Sequence, residues 1–267
     1  MSNTLLFHKT YPHPTSKEWV VFIHGAGGSS SIWFKQIKAY KAHFNLLLVD
    51  LRGHGKSSQL LKDLMTNRYT FKTVTLDILQ VLDHLKIQSA HFVGMSLGTI
   101  IVRNLAELAS DRVKSMVLGG AVTRLNTRSQ LLVRLGNYCK HIVPYMWLYR
   151  LFAYIVMPQR TQKQSRHLFI REAKKLCQKE FKRWFILAAD VNPLMRYFKE
   201  KELPIPTLYL MGDRDYMFIQ PVKEMVAVHR SSQLREIANC GHVCNIERPD
   251  EFNQHSIEFI RQQIVAK

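Results

Sequence analysis

The chain is short of acid. Its 267 residues hold 20 Asp and Glu against 38 Lys and Arg, a formal net charge of +18. It is also short of cysteine. Cys139, Cys177, Cys240 and Cys244 form no CxxC pair, so a paired-cysteine metal or redox motif is not expected. Free thiols in a reducing cytoplasm are the expectation instead. No uncharged apolar run reaches about 18 residues, the length a membrane-spanning helix needs. The nearest approach, IVPYMWLYRLFAYIVMP at 142–158, carries Arg150 and a proline near each end. It reads as a buried or interfacial helix. The opening residues, MSNTLLFHKTYPHP, show no basic-then-apolar leader and no small-residue cleavage site. Internal repeats and low-complexity tracts are missing as well. What is there is a globular composition, 46% hydrophobic, in a chain long enough to bury a sizeable core.

The order of patterns sets the fold class. WVVFIHG (19–25), NLLLVDL (45–51), AHFVGM (90–95), VKSMVLGG (113–120), PTLYLMGD (206–213) and QLREIANC (233–240) read as buried strands. Helical spacing separates them, in SIWFKQIKAYKAHF (31–44), TVTLDILQVLDHLKI (73–87), LGTIIVRNLAELA (97–109), PVKEMVAVHR (221–230) and a closing PDEFNQHSIEFIRQQI. In 73–87, Val74, Ile78, Val81, Leu82 and Leu85 share one face. Apolar strands alternating with helices predict a doubly wound, mostly parallel α/β sheet covered on both faces. Residues 124–203 break the alternation. They read as all-helical, and the β/α pattern restarts after them. The expected organisation is therefore a core of 1–123 and 204–267 with an inserted helical cap at 124–203.

The charge is concentrated in that insertion. Between residues 124 and 202 there are 17 Lys and Arg against 5 Asp and Glu, a net of +12. Its densest stretch is REAKKLCQKEFKRWF. Ala173, Leu176, Phe181 and Trp184 are spaced there as one helix face, with most of the cations on the other. Such a helix could dock an acidic carrier protein or an anionic membrane surface, or serve only as a solvated face. No nucleic-acid motif accompanies the charge, and no nucleic-acid partner is expected.

HFVGMSLGTI, residues 91–100, places Ser96 between Gly94 and Gly98, directly after an apolar run. Glycine is costly in both strand and helix. Two of them around one serine suggest a strand-to-helix turn with the serine at its apex. A lone serine is a weak nucleophile and needs a base and an orienting acid. On a doubly wound sheet, functional groups collect after the strands. The loops in those places read HGAGGSS, DLRGHGKSS, GMSLG, GDRD and CGHVCNIERP.

Taken together, FIHGAGGSSSIW, VDLRGHGKSS, VGMSLGT, LMGDRD and CGHVCNIERPDEFN resemble the α/β-hydrolase superfamily, in its capped, cofactor-free serine esterase-like branch. The resemblance spans nearly the whole chain. It implies a triad in the order serine, acid, histidine: Ser96, Asp215 and His242. The family pattern sets the acid three residues after Gly212, which selects Asp215 and leaves Asp213 as a turn-capping aspartate. The loop after VKSMVLGG holds no carboxylate to compete. The resemblance also implies oxyanion donors at the backbone N–H of Leu97 and of Ala26. His24 is expected to bond backbone, and Asp50, Arg52 and Ser57 to stabilise their turn. Cys240 and Cys244 read as apolar packing rather than metal ligands. Trp33 is read evenly as pocket lining or core.

A serine nucleophile sets aside the epoxide and haloalkane reactions that use aspartate. The expectation is a serine hydrolase of a small-molecule carboxylic ester or a related thioester or lactone, needing no cofactor and no metal. The alternatives are a carbon–carbon bond hydrolase or perhydrolase, and a ligand receptor with slow or no turnover.

Overall fold

The computed structural model describes residues 5–58, 69–123, 143–189, 197–198 and 200–265. Among them a sheet of seven strands runs in the order β1-β3-β2-β4-β5-β6-β7. The strands are β1 (His8–Tyr11), β2 (Trp19–Ile23), β3 (Asn45–Val49), β4 (Ala90–Met95), β5 (Val113–Gly119), β6 (Thr207–Gly212) and β7 (Ser232–Ile237). Strands β2 to β7 pair in parallel. β1 pairs antiparallel with β3, His8 opposite Val49. This is the α/β fold with a mostly parallel sheet that the pattern predicted. The antiparallel edge was not predicted, because HKTY has no apolar run, and none of its side chains is fully buried.

Successive strand residues point to opposite faces. Val21, Ile23, Leu47, Val49 and Phe92 enter a cluster with helices α2 (Phe71–His84) and α3 (Leu97–Leu108). Val20, Phe22, Leu46, Leu48 and Val93 enter a second cluster on the other face, under α1 (Ile37–Lys41) and a long C-terminal helix, Pro249–Val265. Trp33 lies in this second cluster, fully buried, its ring 5.0 Å from that of Phe22 and 6.4 Å from that of Phe252. Of the two readings of Trp33, the ring occupies the core and not a pocket.

One helix predicted at 31–44 is instead a 3-10 turn at Ser30–Trp33 followed by the short α1. The break is held by Gln36, fully buried, whose side chain donates to the Asn245 carbonyl at 2.9 Å.

Between β5 and β6 the described residues form α4 (Tyr145–Val156), α5 (Lys163–Ala173) and α6 (Gln178–Ala189). The single amphipathic helix expected over 171–185 is therefore two helices, broken at 174–177. The Tyr145 hydroxyl donates to the Leu176 carbonyl at 2.8 Å and so satisfies an acceptor that the break frees. Ala173, Leu176, Phe181 and Trp184 are all buried. They pack inward, and Trp184 Nε1 donates to the Arg52 carbonyl at 3.1 Å.

Candidate active site

The site begins at the turn from β4 into α3. Ser96 holds φ 53° and ψ −121°, a strained region for a residue with a side chain. The two glycines have separate steric causes. A Cβ at Gly98 would collide with the Ile23 and His24 carbonyl oxygens, and one at Gly94 would press on the Gly98 backbone. Strand and helix can meet this closely only where side chains are missing. The Ser96 N–H donates to the Gly119 carbonyl at 3.0 Å, which ties the turn to β5.

His242 follows β7, and its ring lies between the two other predicted residues. Its Nε2 is 2.9 Å from Ser96 Oγ. Its Nδ1 is 2.8 Å from Asp215 Oδ2. Asp215 is 1% exposed and His242 is 5% exposed. The Phe218 ring packs 5.0 Å from the imidazole. Gly120 and Gly212 make the approach possible, since a Cβ at either would overlap the His242 or the Gly241 carbonyl. Asp213, two residues earlier, accepts instead from the Cys240 N–H at 3.0 Å. Partial burial pushes its carboxyl up, but the amides of Cys240 and Asn239 hold it below the usual carboxylate range.

The HGAGG loop lies against this turn. A Cβ at Gly25 would sit 3.1 Å from Ser96 Cβ and 3.7 Å from the Leu97 nitrogen. The loop's amides are mostly spoken for. Gly27 N–H donates to His54 Nε2 at 2.9 Å, and Gly28 N–H to the Gly25 carbonyl at 3.1 Å. Among the described residues, the Ala26 N–H has no protein partner. Leu97 opens α3, so its N–H belongs to the set that a helix leaves unpaired at its start. The two amides predicted as donors, of Ala26 and Leu97, thus lie on the HGAGG loop and on the first residue of α3, which come close together.

The surrounding turns are built as the sequence suggested, with one residue missed. His24 Nδ1 donates to the Gly25 carbonyl at 2.8 Å, and its Nε2 accepts the Leu51 N–H at 3.0 Å. Asp50 accepts from the Ser30 and Lys56 N–H groups at 2.6 and 2.9 Å. Arg52 forms a two-pronged ion pair with Asp77, both contacts at 2.5 Å. Ser57 Oγ donates to the Asp50 carbonyl at 2.7 Å. The residue missed is His54. It is fully buried, accepts from Gly27, donates from Nδ1 to the Arg52 carbonyl at 3.1 Å, and packs its ring 4.8 Å from that of Trp184. The signal was a histidine between two glycines in RGHGKS. Burial lowers the pKa of both His24 and His54, so both rings are neutral and can accept a backbone N–H.

Helices α4 to α6 close over these loops with buried polar ties. Glu172 Oε2 accepts from Ser29 Oγ at 2.8 Å, and Lys175 pairs with the same carboxylate at 2.8 Å. Burial pushes this carboxyl up, but Lys175 and Ser29 more than offset it, leaving it below the ordinary value. Glu180 accepts from the Tyr69 hydroxyl and pairs with Arg183. Cys240 and Cys244 are buried, and burial raises both thiols, which keeps them protonated.

A family model described as "alpha/beta hydrolase fold" matches residues 18–138. Among curated proteins the chain is similar to the 3-oxoadipate enol-lactonase 1 of Acinetobacter baylyi. The two are 25% identical over 259 residues, which is 93% of this chain and 90% of the relative. Among solved structures it is similar to an enol-lactonase from Burkholderia xenovorans LB400, with TM-score 0.77, 21% identity and 96% of each chain covered. It is also similar to the esterase EaEST from Exiguobacterium antarcticum, with TM-score 0.81, 17% identity and 96% and 95% coverage. At these identities the two structures speak for the fold alone.

Proposed function

We propose, for a chain that belongs to the α/β-hydrolase superfamily, that Ser96, His242 and Asp215 cleave a carboxylic ester or lactone through an acyl-enzyme. Its similarity to two 3-oxoadipate enol-lactonases of Acinetobacter baylyi supports a hydrolase of ester or lactone bonds. The observation that carries the residue assignment is the unbroken relay from Ser96 Oγ through His242 to Asp215, at 2.9 and 2.8 Å, on a strained turn.

In this reading Ser96 Oγ attacks the substrate carbonyl while His242 Nε2 takes its proton. Asp215 holds the Nδ1–H tautomer and stabilises the imidazolium that forms. The carbonyl oxygen becomes an oxyanion and is met by the Ala26 and Leu97 amides. The positive end of α3 adds to the same field. His242 returns the proton to the departing oxygen, and the acyl group stays on Ser96. Water then attacks, loses a proton to His242, and Ser96 leaves with that proton. The test is Ser96→Ala assayed on a panel of activated esters and lactones. Activity should fall by several orders of magnitude with the fold retained, because members of such a relay act as a unit.

We read residues 124–203 as a cap inserted in a core of 1–123 and 204–267. The ties from Glu172, Glu180 and Trp184 to the core loops support this reading for the described part. Recruitment of an acidic carrier or anionic surface is a separate proposal, and it is narrower than it was from sequence. The apolar face of 171–185 is buried, Leu176 and Trp184 in the core and Ala173 and Phe181 against Tyr149, and is not free to enter a bilayer. What supports recruitment is the exposed set that includes Lys163, Arg171, Lys174 and Lys179. Its attraction would fade as the screening length shrinks from about 10 Å at 0.1 M salt to about 3 Å at 1 M. A carrier-bound acyl substrate should lose rate with salt while a neutral ester does not. Equal responses would remove the proposal.

A further inference from the structure

The loop that offers the Ala26 amide is touched from above by one side chain of α4. Tyr149 reaches down so far that a Cβ at residue 27 would overlap its hydroxyl oxygen. Gly27 also holds φ 67°. Glycine is therefore required there twice, once by conformation and once by the phenol. The Tyr149 ring is clamped in a small apolar cluster with Ala173 and Phe181, its centroid 4.8 Å from Phe169 and 5.7 Å from Phe181. The residue is 7% exposed.

Its hydroxyl is buried and has no hydrogen-bond partner among the described residues. The nearby backbone offers little. The Gly27 N–H is given to His54, and the Gly25 carbonyl already accepts from His24 and from Gly28. A buried hydroxyl with no partner is a cost comparable to a lost hydrogen bond. Removing the oxygen would relieve that cost and leave the ring packing unchanged. Burial also raises the phenol's pKa, so the group stays neutral and can donate.

We propose that Tyr149 is a specificity-determining residue whose phenol donates to a second oxygen of the acyl substrate, an oxo group beside the scissile carbonyl. The proposal rests on the reading of Ser96 as nucleophile. An oxo-acyl ester entering against the Ala26 amide brings an acceptor next to Gly27, the residue that the Tyr149 hydroxyl covers. A fixed ring loses little freedom in making that bond. A plain acyl chain leaves the donor unsatisfied, and such a mismatch is how a site rejects a close analogue.

The experiment compares wild type with Tyr149→Phe on matched pairs: ethyl butanoate against ethyl 3-oxobutanoate and ethyl 2-oxobutanoate. The readout is the ratio of kcat/KM for oxo over plain ester. One neutral hydrogen bond corresponds to about a tenfold fall in that ratio for at least one oxo ester. The Tm should stay level or rise. Tyr154→Phe, which removes an exposed hydroxyl from the same helix, should leave the ratio as it is. An unchanged ratio overturns the proposal, whether both esters lose alike or neither does. So does a Tm lowered by several degrees, which would mean that the phenol is bonded in the free enzyme. Fluorophosphonate labelling of each variant separates this from the premise. Labelling lost in Ser96→Ala but kept in Tyr149→Phe leaves the nucleophile standing whichever way the ratio goes.

Discussion

Asp213 Oδ1 accepts the Cys240 N–H at 3.0 Å, while Asp215 Oδ2, two residues on, meets His242 Nδ1 at 2.8 Å. One aspartate holds the loop that carries the histidine, and the other holds the histidine. Their substitutions should therefore fail differently. Asp215→Asn should lower kcat by about 10⁴ with little effect on Tm, by analogy with other orienting carboxylates. Asp213→Asn should cost about 1 kcal/mol of stability through a weakened hydrogen bond and keep most of the rate. Steady-state kinetics and thermal melts on both variants check this. Equal losses of rate would reverse the assignment.

Gly98→Ala should destabilise strongly. The new methyl would meet the Ile23 and His24 carbonyl oxygens, which are backbone atoms and cannot rotate away. Overpacking of this kind costs about 1–3 kcal/mol or more. Urea denaturation gives the number. A variant as stable as wild type would show that the turn can open, contrary to the packing described.

Acid should loosen the loops around the site. His24 and His54 have folded-state pKa values below their ordinary value, so the unfolded chain binds protons first as pH falls. Their contribution is complete above about pH 6.5 and is lost as pH drops toward the folded values. Each such group costs up to about 1.4 kcal/mol per pH unit in that window. His54→Gln, whose amide oxygen can still accept the Gly27 N–H, should flatten the dependence. Between pH 7.5 and 5.5 it should lose about 1 kcal/mol less than wild type in urea titrations. Parallel curves would mean that His54 does not stay neutral.

Much of this was legible in the chain, because buried parallel strands write themselves as short apolar runs and a relay needs few residue types. Ser96, His242 and Asp215 each follow a recognisable strand. Asp215 and Asp213 were separable only through the spacing from Gly212. The unread features depend on contacts across the chain. HKTY pairs with β3 only at an edge, where no apolar pattern is required. The helix read through 171–185 is broken after Ala173, and the Leu176 carbonyl in the break is met by Tyr145, far back in the sequence. The apolar face of that stretch looked outward-bound until Trp184 met Arg52. The role of His54 depends on Gly27, 27 residues away; its place between Gly53 and Gly55 marks a turn but not that partner. Tyr149 looked like one more aromatic in an apolar helix.

The most direct measurement is fluorophosphonate labelling followed by peptide mass spectrometry, on wild type and on His242→Ala. The probe reacts with a serine whose proton is removed by a neighbouring base. One modified peptide is expected, carrying the adduct on Ser96, with labelling slowed by several orders of magnitude in His242→Ala. An adduct on any other serine, or labelling of Ser96 at the same rate without His242, would contradict it.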